Sequence, residues 1–181
     1  MSLYHQALGE LGRVFDALEA DQVEEVADRI ARARRIVVLG CGREKLQIMG
    51  FAMRLFHMGR DVAVAGDMTT PPLGSGDLLL LTSGPGDLAS VNALMQVARD
   101  AGAAVVLITA QTESSAARLA DFVLTLPAQT MADDAETPSV LPMGSAYEGA
   151  LFILFEVLVL KLLDRLGIDF DDMRANHTNL E

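Results

Sequence analysis

Two short glycine-rich segments, Gly40-Cys41-Gly42-Arg43-Glu44 and Ser83-Gly84-Pro85-Gly86-Asp87, carry the first chemistry legible in the chain. Each follows a short apolar run and precedes a helical pattern, so each reads as a strand-to-helix turn. Backbone amides exposed at a helix start favour an anionic group. In an open parallel sheet, ligands sit at the carboxyl ends of the strands, where the strand order reverses. Two such turns at one switch point indicate a binding crevice rather than two unrelated tight turns. Walker A is absent, because neither loop runs on into glycine-lysine-serine or glycine-lysine-threonine. A dinucleotide fingerprint wants a third glycine where Lys45 stands, and Asp67 lies somewhat far along for a ribose partner. A redox enzyme is therefore disfavoured.

The other reactive side chains read more plainly. His5 and His57 have no metal-ligand spacing to a second His, Cys or carboxylate, and suit packing or solvent contacts. Cys41 lies beside Arg43, but no partner in the sequence makes it a nucleophile, and small-residue packing is the better reading. Glu156 follows Glu148 by eight residues, which places it roughly 80° round a helix, so the two need not share one site. Pairing with an arginine at an interface suits Glu156 better.

Positioning the loops falls to a repeated pattern. Apolar runs at Ile36–Leu39, Val62–Ala65, Leu78–Leu81, Ala104–Ile108 and Phe122–Leu126 are continuous rather than alternating, as parallel strands buried on both faces should be. Helical segments at 44–58, 88–101 and 113–120 separate most of them, with Gly59 and Gly102 where C-terminal caps belong. The link from Gly66 to Gly76 is too short for a regular helix and reads as an irregular crossover. Ahead of the first run, residues 3–19 place Leu3, Ala7, Leu8, Leu11, Val14, Phe15 and Leu18 at helical spacing. Asp21 then reads as the N-cap of a second helix carrying Val23, Val26, Ala27 and Ile30, closed by Arg32, Arg34 and Arg35.

After Pro127 a polar stretch with Asp133, Asp134, Glu136 and Pro138 reads as an exposed loop. Residues 145–166 form one long helix ended by Gly167, and its middle, Leu151 to Phe155, is apolar on every face. Such a helix must be covered on both sides, here by the sheet and by a second subunit. The tail 169–181 is polar. The expected fold is α/β: a three-layer αβα sandwich with a five-stranded parallel sheet and an N-terminal helical hairpin. One domain spans 1–181, with helices in 1–34, the β/α core in 35–127, a loop in 128–140, and the long helix and tail in 141–181.

Composition narrows the partners. The 181 residues carry 14 Lys plus Arg against 25 Asp plus Glu, a net charge of -11. Such a surface repels phosphate backbones, which argues against nucleic acid and anionic membranes. The longest apolar stretch, Ala150 to Leu163, is interrupted by Glu156 and Lys161 and is too short to span a bilayer. A single cysteine makes no internal disulfide and suits the cytoplasm. The N-terminus shows no signal-peptide core.

Beyond the glycine loops, longer segments point one way. Phe51-Ala52-Met53-Arg54-Leu55 with His57 and Gly59, Thr69-Thr70-Pro71, Gly76-Asp77-Leu78, Leu141-Pro142-Met143-Gly144-Ser145 with Glu148, and Met173-Arg174 with His177 and Asn179-Leu180-Glu181 together resemble the sugar isomerase (SIS) domain family, in its 6-phospho-3-hexuloisomerase branch. The resemblance covers nearly the whole chain and implies a flavodoxin-like SIS fold. It implies an isomerase that interconverts a 3-ketohexose 6-phosphate and fructose 6-phosphate through an enediolate, with no metal or organic cofactor. By resemblance Glu148 would be the base that moves a proton between adjacent carbons, and Arg43 would steady the enediolate oxygen or the phosphate. His177 would come from a neighbouring subunit of a tetramer or dimer and assist proton transfer at the sugar oxygens. Thr69 and Thr70 would line the sugar pocket, and Gly40, Gly42, Ser83, Gly84 and Gly86 would shape the ligand loops with Glu44 and Asp87.

The loops also depart from the family pattern. Glu44 stands where the first loop has serine, and Pro85, Asp87 and Leu88 replace the second loop's Ser, Glu and Thr, leaving only Ser83 of the expected hydroxyls. Pro85 also lacks a backbone donor. Two accounts fit these changes. Either Glu44 points outward and simply favours the start of its helix, or the phosphate site has been lost, leaving a non-catalytic or altered-substrate SIS domain that binds another ligand on the same scaffold. Lys45 and Arg43 could partly restore positive charge.

Overall fold

The computed structural model describes residues 1–133, 135 and 139–180. Asp134, Glu136 and Pro138 of the acidic stretch, and Glu181 of the C-terminal motif, lie outside the described residues. The chain folds as α1 (Leu3–Asp16), α2 (Ala20–Arg32), β1 (Ile36–Leu39), α3 (Gly42–His57), β2 (Val62–Val64), β3 (Leu78–Thr82), α4 (Ala89–Asp100), β4 (Ala104–Thr109), α5 (Ser115–Leu119), β5 (Phe122–Thr125), α6 (Ser145–Leu166) and α7 (Phe170–Ala175).

All five strands are parallel, in the order β2-β1-β3-β4-β5. Their continuous apolar runs are explained by helices on both faces. Ile36, Val38, Leu78, Leu80, Val106 and Ile108 face α2, α3 and α6 in the larger core. The alternate residues Val37, Leu39, Leu79, Leu81, Val105 and Leu107 face α4 and α5. The link from β2 to β3 is irregular, and its Leu73 packs into this second core.

Within the larger core, α3 and α6 run in the same direction. The Phe51 and Phe155 rings stack with centroids 4.7 Å apart, and one turn on, Arg54 pairs with Glu156 at 3.3 Å. Glu156 therefore does meet an arginine, across an interface between helices of one chain. α6 buries one side against α1, α2 and α3, while Phe152 and Leu160 stay exposed.

Several expectations are corrected. Asp21 is not an N-cap: α2 begins after Glu19, and Asp21 lies in its first turn. Arg34 and Arg35 fall beyond the helix and instead pair with Asp77 and Asp61. The segment after Pro127 is not uniformly exposed, since Ala128 and Thr130 are buried and Glu10 holds both Ser139 and Val140. The tail contains α7, whose Asp169 forms a capping box with Asp172 and whose Met173 is buried. No helix among the described residues is long and apolar enough to cross a membrane.

Candidate active site

β1 and β3 are neighbours from which the strand order runs away in both directions. The turns that follow them therefore face a common crevice at the carboxyl end of the sheet. Close approach dictates two of the glycines. A Cβ on Gly40 would lie 3.0 Å from the Lys45 Cα, and one on Gly84 would lie 2.9 Å from the Tyr147 ring. Gly42 opens α3, and Gly86 turns the second loop against Ser114 and Gln111.

The N-terminus of α6 forms the third wall and brings Glu148 to the crevice. Arg43, in the first turn of α3, reaches across to it, with Nε 3.0 Å from Glu148 Oε1. The same guanidinium donates to the Met143 carbonyl at 2.7 Å and to Ser145 Oγ at 3.3 Å. Met143 sits at φ 54°, in the left-handed region that side chains disfavour. Arg43 thus holds the tight turn from which Glu148 projects.

The Glu148 carboxylate is mostly covered, whereas Arg43 is half exposed. Burial pushes the Glu148 pKa above its ordinary 4.5, and the Arg43 charge and hydrogen bond oppose that rise. A carboxylate raised by a partly apolar wall is a better proton acceptor than an exposed one. Arg43 supplies the positive charge that an oxyanion next to it would need.

Glu44 points inward, which overturns the account of a harmless helix-start residue facing solvent. Both of its oxygens accept from the Gly84 amide at 3.1 Å, and Oε2 accepts from the Thr82 hydroxyl at 2.8 Å. Behind them the buried Tyr147 hydroxyl lies 3.1 Å from Thr82 Oγ1 and donates to the Ile108 carbonyl at 2.9 Å. Burial raises the Glu44 pKa, and the Glu148 carboxylate adds to the rise against the pull of its hydrogen bonds.

The other expected site residues divide. Ser83 is fully buried and its hydroxyl donates to the Gly86 carbonyl at 3.1 Å. Asp87 turns away to cap α5, accepting from the Ser115 amide at 2.8 Å and the Ser115 hydroxyl at 2.5 Å. Thr70 donates to the Val64 and Asp67 carbonyls at 2.6 and 2.8 Å. Exposed Thr69 lines a surface groove of about 480 Å³ along the edge strand β2, with Met53 and Phe56 of α3. His177 is not brought to Glu148 within the chain. Its ring lies 4.9 Å from that of His57, at the opposite end of α3 from Arg43. Fourteen helical residues separate those ends, about 20 Å at the usual rise.

Sequence reasoning missed Thr82 and Tyr147. Thr82 was legible as a hydroxyl at the carboxyl end of a strand, directly before a glycine loop. Tyr147 lies one position before Glu148, and its proximity to Thr82 depends on how α6 crosses the sheet.

Residues 29–153 match the SIS domain family. A 3-hexulose-6-phosphate isomerase of Bacillus subtilis (strain 168) is 32% identical over 177 residues, spanning 97% of this chain and 96% of the relative. A 3-hexulose-6-phosphate isomerase of Mycobacterium gastri is 37% identical over 164 residues, spanning 91% of this chain and 82% of the relative. A Methanococcus jannaschii protein, whose crystal structure was reported to infer the molecular function of a 3-hexulose-6-phosphate isomerase, superposes with a TM-score of 0.83 at 27% identity over 99% of this chain and 97% of that one. Sequence, parallel sheet and crevice agree, and the chain belongs to the SIS domain family, in its 3-hexulose-6-phosphate isomerase branch.

Proposed function

We propose that the protein is a sugar-phosphate isomerase that converts a 3-ketohexose 6-phosphate to fructose 6-phosphate. The observation that carries this reading is the Arg43–Glu148 pair, a raised carboxylate against a guanidinium in the switch-point crevice. Glu148 removes the proton from carbon-2, and the electrons of that C–H bond form the carbon–carbon double bond of an enediolate as the carbon-3 carbonyl becomes an oxyanion. Arg43 stabilises that oxyanion. The hydroxyl proton passes from oxygen-2 to oxygen-3, and Glu148 returns its proton to carbon-3. A ketone now stands at carbon-2. No electron leaves the sugar, so the reaction calls only for proton transfer and charge stabilisation.

Deuterium exchange tests this reading at the level of single carbons. Fructose 6-phosphate incubated with the protein in D2O should acquire deuterium at carbon-3, because the reverse reaction passes through the same enediolate. Label at carbon-1 alone would mark an aldose-ketose isomerase, and no label would mark a binder.

The active assembly is a homo-oligomer, a tetramer or dimer, in which His177 of one subunit reaches the Glu148 crevice of another. Three features support this: the separation of His177 from Glu148 within one chain, the exposed Met49, Met53 and Phe56 on α3, and the exposed Phe152 and Leu160 on α6. Mixing inactive Glu148→Gln and His177→Ala subunits should then restore activity, to roughly a quarter of the wild-type level with random assortment. Mixtures as inactive as their components would place both residues in the same subunit's site. A cytoplasmic setting suits the lone cysteine, Cys41.

A further inference from the structure

The second glycine loop has almost no donor left for an anion. The Ser83 amide donates to the Ile108 carbonyl, the Gly86 amide to the Ser83 carbonyl and the Asp87 amide to the Pro85 carbonyl, at 3.0 to 3.1 Å. Pro85 has no N–H. The Ser83 hydroxyl and the Asp87 carboxylate are committed to the loop itself and to α5. One amide remains, that of Gly84, and both oxygens of Glu44 hold it. The same carboxylate holds the neighbouring Thr82 hydroxyl. A carboxylate therefore already occupies the one amide that this loop leaves uncommitted, beside the first-turn amides that α3 leaves without helical partners.

The position of Glu44 in its helix makes this placement unusual. A glutamate in the third position ordinarily reaches back to the N-cap amide, opposite an N-cap side chain that bonds forward. Here the N-cap is Cys41, which makes no such bond, and the glutamate crosses to β3 instead.

We infer that Glu44 is an internal plug of the anion subsite, which a substrate's phosphate must displace from Gly84 and Thr82 in order to bind. This deepens the sugar-phosphate reading above and rests on it. The plug and a phosphate cannot coexist, because they need the same amide and repel each other at contact distance. Rotation about the side-chain bonds carries Glu44 to solvent, where the helix start still favours its charge. Inorganic phosphate has only its own charge to drive that exchange. A sugar phosphate adds the contacts of its sugar to Arg43 and Glu148. Displacing Glu44 costs bare phosphate and sugar phosphate alike, so at low concentration only the ligand with these further contacts occupies the site.

Inorganic phosphate titrated calorimetrically into the full chain tests the inference. Glu44→Ser, which clears the amide, should bind phosphate about tenfold tighter than wild type or better, the scale of one hydrogen bond to a charged group. Its KM for 3-hexulose 6-phosphate should fall in parallel. Glu44→Gln keeps the shape but removes the charge, and should fall between the two. Equal or weaker phosphate binding by Glu44→Ser overturns the plug, and if that variant fails to fold, unchanged binding by Glu44→Gln does so. Turnover by wild type without any gain in the variants rejects the plug and keeps the isomerase. A gain in phosphate affinity without turnover by any form keeps the plug and rejects the isomerase.

Discussion

Glu148→Gln should lower kcat by roughly a thousandfold, within the range that general-base catalysis contributes. Glutamine has nearly the shape of glutamate and can still accept from Arg43, so folding and sugar-phosphate binding should be little changed and KM should move by less than the rate. The same residue should fix the acid side of the pH profile. Burial raises the Glu148 pKa above 4.5, and only the ionised form accepts a proton. Activity should therefore rise with pH through a midpoint above that ordinary value, and the limb should vanish from any residual activity of the variant. A variant that keeps wild-type turnover, or loses it only through unfolding, would remove Glu148 from the chemistry.

Phe51→Ala should cost about 3 to 5 kcal/mol of stability, the usual penalty for emptying a buried phenylalanine site. Phe51 is 2% exposed and stacks on Phe155 with an interplanar angle of 8°. That stack joins the two helices whose first turns carry Arg43 and Glu148. A urea melt would read the loss as a lower midpoint at similar slope. Turnover should also fall while the variant is still folded, because a slip between α3 and α6 alters the distance across which the arginine holds the carboxylate. A loss below 1 kcal/mol would mean that other contacts, such as Arg54–Glu156, hold the helix pair.

The sheet was legible because its strands are buried on both faces and so read as unbroken apolar runs. The ends of α6 were legible for a different reason: Gly167 adopts the left-handed conformation that ends a helix, and Gly144 precedes its first residue. α7 escaped notice because Phe170 and Met173 are its only large apolar residues among charged neighbours, and its start depends on the Asp169 capping box. Asp21 misled because an aspartate near a helix start reads as a cap, whereas α2 starts one residue before it, at Ala20, after a Glu19 whose side chain makes no capping bond. The Arg43–Glu148 meeting was expected only through the family resemblance, since the residues are far apart in sequence and converge only when α3 and α6 pack in parallel. The direction of Glu44 could not be read locally. A first-turn glutamate looks the same facing solvent or facing a neighbouring strand, and the amide that draws it inward belongs to Gly84, 40 residues away.

The most direct test of the central claim is turnover of 3-hexulose 6-phosphate to fructose 6-phosphate by the unaltered protein. The Arg43–Glu148 crevice predicts steady formation of fructose 6-phosphate at a rate proportional to protein concentration. Folded protein that binds the sugar phosphate and forms no product would contradict it.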